Sequence, residues 1–295
     1  MKQAPNKRPK VLVIYKKTTL QRYQSGKRVQ ELIEADDRTV RAMTAAHEEH
    51  MRSLGRARET LAALGAQASF RHRYLSSGDR WDLVVTLGGD GTLLWASHMI
   101  GRDIPMVAIN SAPGSSVGYF CAGGGETLDE TLQAALEGGL KGTRLSRMQV
   151  QVGGQIVSTR VLNDILFCHE CPAATSRYLI QHGEHEEEQI SSGIWIGPAA
   201  GSTAAQRSAG GKVLPIGSKR IQYVVREPYL APGRSYALGR GLVEPGEDLR
   251  IASKMREGTI YVDGHHRTHR VDIGVELRVQ RSSESLLLLG LKRRR

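Results

Sequence analysis

The chain has little sulfur, few aromatic rings and no long apolar run, and each shortage removes a class of protein. Three cysteines in 295 residues cannot all pair and are too sparse for a disulfide framework, so we expect a reduced, cytoplasmic protein. The start of the chain, residues 1–10, is basic and polar before a five-residue apolar run at 11–15, which is unlike a secretory leader. No apolar stretch approaches the roughly 18 residues of a membrane span. The greasiest patch, 286–289, adjoins a run of basic residues at 292–295, and we read no membrane partner. Aromatic residues make up 5% of the chain, too few for the stacking platforms of single-strand binders. The basic residues behind the net charge of +11 are scattered except at the termini, so no nucleic-acid partner is read either. Signatures are missing too: no Gly-Lys-Ser/Thr follows the glycines, no dinucleotide fingerprint spacing occurs, and there is no Gly-x-Ser-x-Gly elbow.

What is present is a chain of two textures. Residues 11–15 read as a first strand, 30–64 as helix broken near Gly55, and 68–74 and 83–87 as strands. A helix at 92–100, a strand at 105–109 and a helix at 127–136 follow. Alternating strands and helices imply an α/β domain with a parallel, Rossmann-like sheet, whose ligands bind beyond the carboxyl ends of the strands. From about residue 147 helical pattern nearly vanishes. Short β-like runs take over at 148–152, 156–162, 177–181, 194–196, 222–225, 259–262 and 275–279, predicting a mostly β second domain. We place the domains at 1–145 and 146–295, with the C-terminal tail free to return to the first.

The most telling stretch is Gly88-Gly89-Asp90-Gly91-Thr92, where an apolar run breaks into a glycine corner and continues as helix. Glycines without β-carbons and a helix N-terminus suit phosphate. A carboxylate would repel phosphate unless it binds a metal or takes a proton from a neighbouring hydroxyl, which marks Asp90 as a candidate catalytic residue. A second small-residue cluster, 197–211, carries Ser202, Thr203 and Ser208, and reads either as a capped turn or as a close-approach surface for a flat ligand. Asn163-Asp164 suits the vicinal hydroxyls of a ribose, though by itself an ordinary turn pair explains it better. Cys168 and Cys171 read as an incidental pair, 182–188 as a solvated polar loop, and Asp263-Gly264 as a hairpin turn between 259–262 and 270–273.

Taken together, Gly88 to Thr92, Asn110 with Gly118-Tyr119-Phe120, Leu162-Asn163-Asp164, and Gly201-Ser202-Thr203-Ala204 leading to Ser208-Ala209-Gly210-Gly211 resemble the NAD kinase family in their order, with extra residues 111–114 between Asn110 and Gly118. The resemblance covers most of residues 11–281. It implies an N-terminal α/β domain, a C-terminal β-sandwich, and transfer of the γ-phosphate of ATP to the 2′-hydroxyl of the adenosine ribose of NAD⁺ or NADH. Asp90 would be the base and Gly88, Gly89, Gly91 and Thr92 would line the phosphates, with Asn110 among the nucleotide-binding residues. Asn163 and Asp164 would hold the dinucleotide's ribose, while Thr203, Ala204 and Ser208 would line its nicotinamide side. Mg²⁺ or another divalent ion would neutralise the triphosphate, with no dedicated protein metal ligands, and a homodimer or homotetramer is implied. Ser192 and Ala205 stand where many members carry Asp and Tyr, as in the plant-type NADH kinase branch. A lipid kinase of the diacylglycerol or sphingosine type shares the glycine corner, and a non-catalytic nucleotide-binding regulator would keep it without needing Asp90.

Overall fold

The computed structural model describes residues 8–23, 25–35, 37–72, 80–230, 233 and 235–291. The chain divides into two compact units, Met1–Thr143 with Leu287–Arg295, and Arg144–Leu286.

The first unit is α/β. Its seven-stranded sheet runs in the order Gln67–Arg71, Lys10–Tyr15, Leu83–Gly88, Met106–Asn110, Leu286–Leu289, Gly142–Leu145, with Gly123–Gly124 paired to Met106–Asn110. The ladders from Gln67–Arg71 across to Leu286–Leu289 are parallel. Strands covered on both faces read as near-continuous apolar runs, and Val11 to Ile14 and Leu83 to Gly88, with Thr86 the one polar side chain, are buried without alternation. One covering element is the helix Arg38–Ala63, which buries His50, Ser53, Leu54, Ala57 and Leu61 at helical spacing. The expected break at Gly55 does not occur. A glycine in a helix interior costs only about 1 kcal/mol relative to alanine, less than the packing on either side of it supplies. The interruption lies earlier, between Lys27–Glu34 and Arg38–Ala63, where the Asp37 carboxylate caps the long helix by accepting the Thr39 N–H at 2.8 Å. Of the strand expected at 68–74, residues 73 and 74 lie outside the described residues.

The second unit is a sandwich of two six-stranded antiparallel sheets. One runs His185–Ser191, Ser176–His182, Asp248–Ser253, Glu276–Arg281, Met148–Val152, Gln155–Val161. The other runs Arg240–Val243, Ile221–Val225, Ile194–Pro198, Ile165–His169, Gly258–Val262, Thr268–Arg270. Val150, Ile180, Ile251 and Leu277 of the first meet Phe167, Ile194, Ile196 and Ile260 of the second in one core. The supposed polar loop at 182–188 is instead a hairpin. Gly183 (φ 61) turns the chain and His185–Ser191 pairs along its length with Ser176–His182. Its acidic residues mislead because this is an edge strand: Glu187 accepts the N–H groups of Ala237 and Leu238, and Glu188 meets Lys254 at 2.7 Å. The expected hairpin at Asp263-Gly264 is present, with its second strand at Thr268–Arg270.

Candidate active site

Within the first unit, Leu83–Gly88 delivers the chain to Gly89, which caps the helix Asp90–Ser97 in extended conformation. That helix begins two residues earlier than its apolar pattern suggests, placing Asp90 in its first turn. The Asp90 carboxylate accepts the backbone N–H groups of Tyr119 and Phe120, both at 2.8 Å. The three glycines divide by neighbour rather than sharing one task. A Cβ at Gly88 would strike the Thr92 side chain, and one at Gly89 would lie 2.6 Å from Ser116 Oγ, so internal packing explains both. Only Gly91, exposed and with nothing within 4 Å of its would-be Cβ, opens onto free space.

The loop that follows Met106–Asn110 completes the corner. Asn110 is buried, donates from Nδ2 to the Ser116 carbonyl at 2.8 Å and accepts the Ala112 N–H at 3.2 Å. Gly118 (φ 60) returns so close that a Cβ there would lie 2.6 Å from Asn110 Nδ2. The Asn110 amide thus shapes the loop that presents Tyr119 and Phe120 to Asp90. Beneath the loop, His50 is 1% exposed, bonds Ser111 Oγ at 2.8 Å, and has its pKa pushed down to about 4, chiefly by burial. Sequence reading missed His50, which sits on the apolar stripe of its helix as an ordinary core residue would.

In the second unit, the turn Leu162-Asn163-Asp164 is held by Asp263, whose carboxylate accepts all three N–H groups at 2.9, 2.6 and 3.1 Å. The Asp263 backbone is left-handed (φ 47), a conformation its role as clasp helps explain. Burial, with the Asp263 charge second, pushes the Asp164 carboxyl up to about 7. The small-residue cluster packs on this turn: a Cβ at Gly201 would overlap the Asn163 carbonyl, and Gln206 Nε2 donates to that carbonyl at 3.4 Å. Ser202 is internal, donating to the Ala199 carbonyl at 2.7 Å and accepting the Leu214 N–H at 2.9 Å.

A hollow of about 360 Å³ brings Asp164 and Ser192 together with Trp195, Arg226 and Tyr261. An adjoining one holds Ala205 and Ser208 and shares Trp195, Arg226 and Glu227. Thr203 and Ala204 line neither of these two. Asn163 contributes its carbonyl to the packing beneath Gly201 rather than lining either hollow. Trp195 was missed because a tryptophan between isoleucines is commonplace in sequence. Cys121, Cys168 and Cys171 are free thiols, and among the described residues no group of three or more His, Cys, Asp and Glu is placed to hold a metal.

Chemically, the first unit offers a fixed carboxylate beside a helix N-terminus, and the second a mostly apolar hollow in which Trp195 and Tyr261, on the strands either side of Leu166, join Asp164, Ser192 and Arg226. The profile of the ATP-NAD kinase N-terminal domain matches residues 11–139. A probable NADH kinase of Oryza sativa subsp. japonica is 36% identical over 228 residues, covering 70% of each chain. The NADH kinase of Arabidopsis thaliana is 34% identical over 215 residues, 65% of this chain and 68% of the plant protein. Among solved structures, yeast NADH kinase complexed with NADH superposes with a TM-score of 0.73 at 17% identity, covering 98% of this chain and 85% of the yeast one. An NAD kinase from Archaeoglobus fulgidus in complex with ATP gives 0.69 at 18% identity over 95% and 92%. The two structures support the fold, and the plant relatives favour a cofactor kinase over a lipid kinase.

Proposed function

The chain belongs to the NAD kinase family, and on that premise we propose that it transfers the γ-phosphate of ATP to the 2′-hydroxyl of the adenosine ribose of NAD⁺ or NADH, with Asp90 as the base. The observation that carries this reading is the Asp90 carboxylate, fixed by the Tyr119 and Phe120 N–H groups beside the open face at Gly91. Two N–H bonds leave each oxygen a further lone pair, so Asp90 can accept the hydroxyl proton without turning. The helix N-terminus at Asp90–Ser97 favours the phosphate charge next to it, and in-line transfer then needs positioning more than covalent help.

Gly88, Gly89, Gly91 and Thr92 shape the phosphate corner, and Asn110 holds its loop. Asn163 and Asp164 meet the ribose, while Ser192, Thr203, Ala204, Ala205 and Ser208 face the nicotinamide side. A Mg²⁺ or another divalent ion bound with the triphosphate would neutralise its charge. The free thiols agree with a cytoplasmic setting, and assembly as a homodimer or homotetramer follows the resemblance. Purified protein with ATP, Mg²⁺ and NADH or NAD⁺ tests the reading directly: folded protein that forms no NADP(H) overturns it.

A further inference from the structure

The parallel ladder between Lys10–Tyr15 and Leu83–Gly88 sets Tyr15 opposite Leu87, and it continues one step further, with the Lys16 N–H donating to the Leu87 carbonyl at 3.3 Å. Lys16 therefore leaves the sheet beside Gly88, at the carboxyl edge where parallel sheets receive ligands. On the other flank Asn110 pairs with Gly88, and the Ser111 N–H donates to the Gly88 carbonyl at 3.2 Å. His50 braces both flanks from below, bonding Ser111 Oγ at 2.8 Å and the Lys16 backbone. Held neutral by burial, it ties the edge together while leaving Lys16 as the cation there.

The Lys16 ammonium is half-buried, and desolvation outweighs the opposing charge of Glu49 in setting its pKa, which is lowered. It makes no hydrogen bond or ion pair among the described residues. A partly desolvated ammonium without a partner is unfavourable until an anion completes it. Beside it lies a corner whose own side chain, Asp90, has the wrong sign for phosphate.

We propose that Lys16 is the anchor for the triphosphate of ATP, a point charge that offsets Asp90 at the glycine corner. The proposal rests on the kinase reading above. Lysine suits the task because its ammonium can follow a phosphate chain as transfer proceeds, without the fixed geometry of a guanidinium fork.

The test uses the full chain as wild type, Lys16→Met and Lys16→Arg, with ATP varied at saturating NADH and NADH varied at saturating ATP. Lys16→Met keeps the apolar stem, and we expect it to raise the KM for ATP about tenfold or more while the KM for NADH stays within about twofold. Lys16→Arg should recover most of the ATP affinity, and the melting temperature of Lys16→Met should equal or exceed that of wild type, since an unpaired half-buried charge is gone. An unchanged KM for ATP, or a change confined to NADH, overturns the proposal. Were wild type to form no NADP(H), the kinase reading would fail, whereas calorimetric ATP binding by the same variants would still decide on Lys16. Should Lys16→Met not fold, Lys16→Gln and the salt dependence of ATP binding take its place, and equal salt dependence in Lys16→Gln and wild type counts against the anchor.

Discussion

Asp90 Oδ2 accepts the Tyr119 backbone N–H at 2.8 Å, and the neighbouring Phe120 N–H occupies Oδ1 at the same distance. The carboxylate is thereby locked to a loop far from it in sequence, and its orientation is a property of the fold rather than of a free side chain. Asp90→Asn keeps the size but offers one acceptor where two N–H groups need one each. We expect turnover to fall by at least about a hundredfold, the usual contribution of a general base. Stability should fall by roughly 1 to 3 kcal/mol for the N–H left unsatisfied. ATP binding measured by calorimetry on the folded variant separates the two effects. Turnover within about tenfold of wild type would remove Asp90 from the base role.

The glycines can be sorted by what a methyl group would meet. At Gly91 it enters open space, so Gly91→Ala should leave the melting temperature unchanged or slightly raised and yet increase the KM for ATP, because the added carbon stands where phosphate would approach. At Gly201 it overlaps the Asn163 carbonyl, so Gly201→Ala should destabilise the second unit by more than about 3 kcal/mol, or prevent folding. Thermal melts and ATP kinetics on the pair check both outcomes. Equal behaviour of the two variants would contradict the distinction between a ligand face and an internal one.

How much of this was readable from sequence depended on whether the cause was local. Val11 to Ile14 and Leu83 to Leu87, the latter interrupted only by Thr86, announce themselves because strands buried on both faces read as near-continuous apolar runs. Asp90 announces itself because a carboxylate set among three glycines at the start of a helix stands out in the sequence. His185–Ser191 stayed hidden because an edge strand may carry charge wherever solvent lies beside it. Asp263 hid behind a true but incomplete reading: Asp-Gly does make the hairpin, while the carboxylate also reaches N–H groups 99 to 101 residues away. Lys16 and Trp195 belong to the same class, residues whose meaning comes from neighbours that only the folded sheet supplies.

Asp164 should give stability a pH dependence whose sign follows from its environment. Burial and the Asp263 charge favour its neutral form, raising the folded pKa to about 7 from an ordinary 3.8. Below 3.8 both folded and unfolded chains hold the proton and no penalty exists. Between 3.8 and about 7 the folded state keeps a proton that the unfolded state has lost, so stability declines as pH rises through that window. The isosteric Asp164→Asn has no such charge to bury. Its stability relative to wild type should therefore increase by about 2 to 3 kcal/mol between pH 5 and pH 8 in urea titrations. A gap that stays constant with pH would mean that Asp164 ionises as readily in the folded chain as in the unfolded one.

Ser192 and Arg226 bear on which redox form of the cofactor is preferred. The Ser192 N–H donates to the Arg226 carbonyl at 3.0 Å, and both residues line the hollow with Trp195, over whose ring the Arg226 guanidinium lies at 5.9 Å. A nicotinamide ring is cationic in NAD⁺ and neutral in NADH. Asp164, Glu170 and Glu227 also line the hollow and Glu227 pairs with the Arg226 guanidinium at 3.8 Å, so what position 192 contributes is one carboxylate fewer to favour the cationic ring, while the neutral ring is indifferent to it. We expect kcat/KM for NADH to equal or exceed that for NAD⁺ with ATP fixed. Ser192→Asp restores an acidic group beside the ring and should move the ratio toward NAD⁺ by about tenfold, moderated by pairing of the new carboxylate with Arg226. Ala205→Tyr adds area without charge, so it should affect both cofactors more evenly. A wild-type enzyme that strongly prefers NAD⁺, or a Ser192→Asp variant whose ratio does not move, would place discrimination elsewhere than in the charge of this hollow.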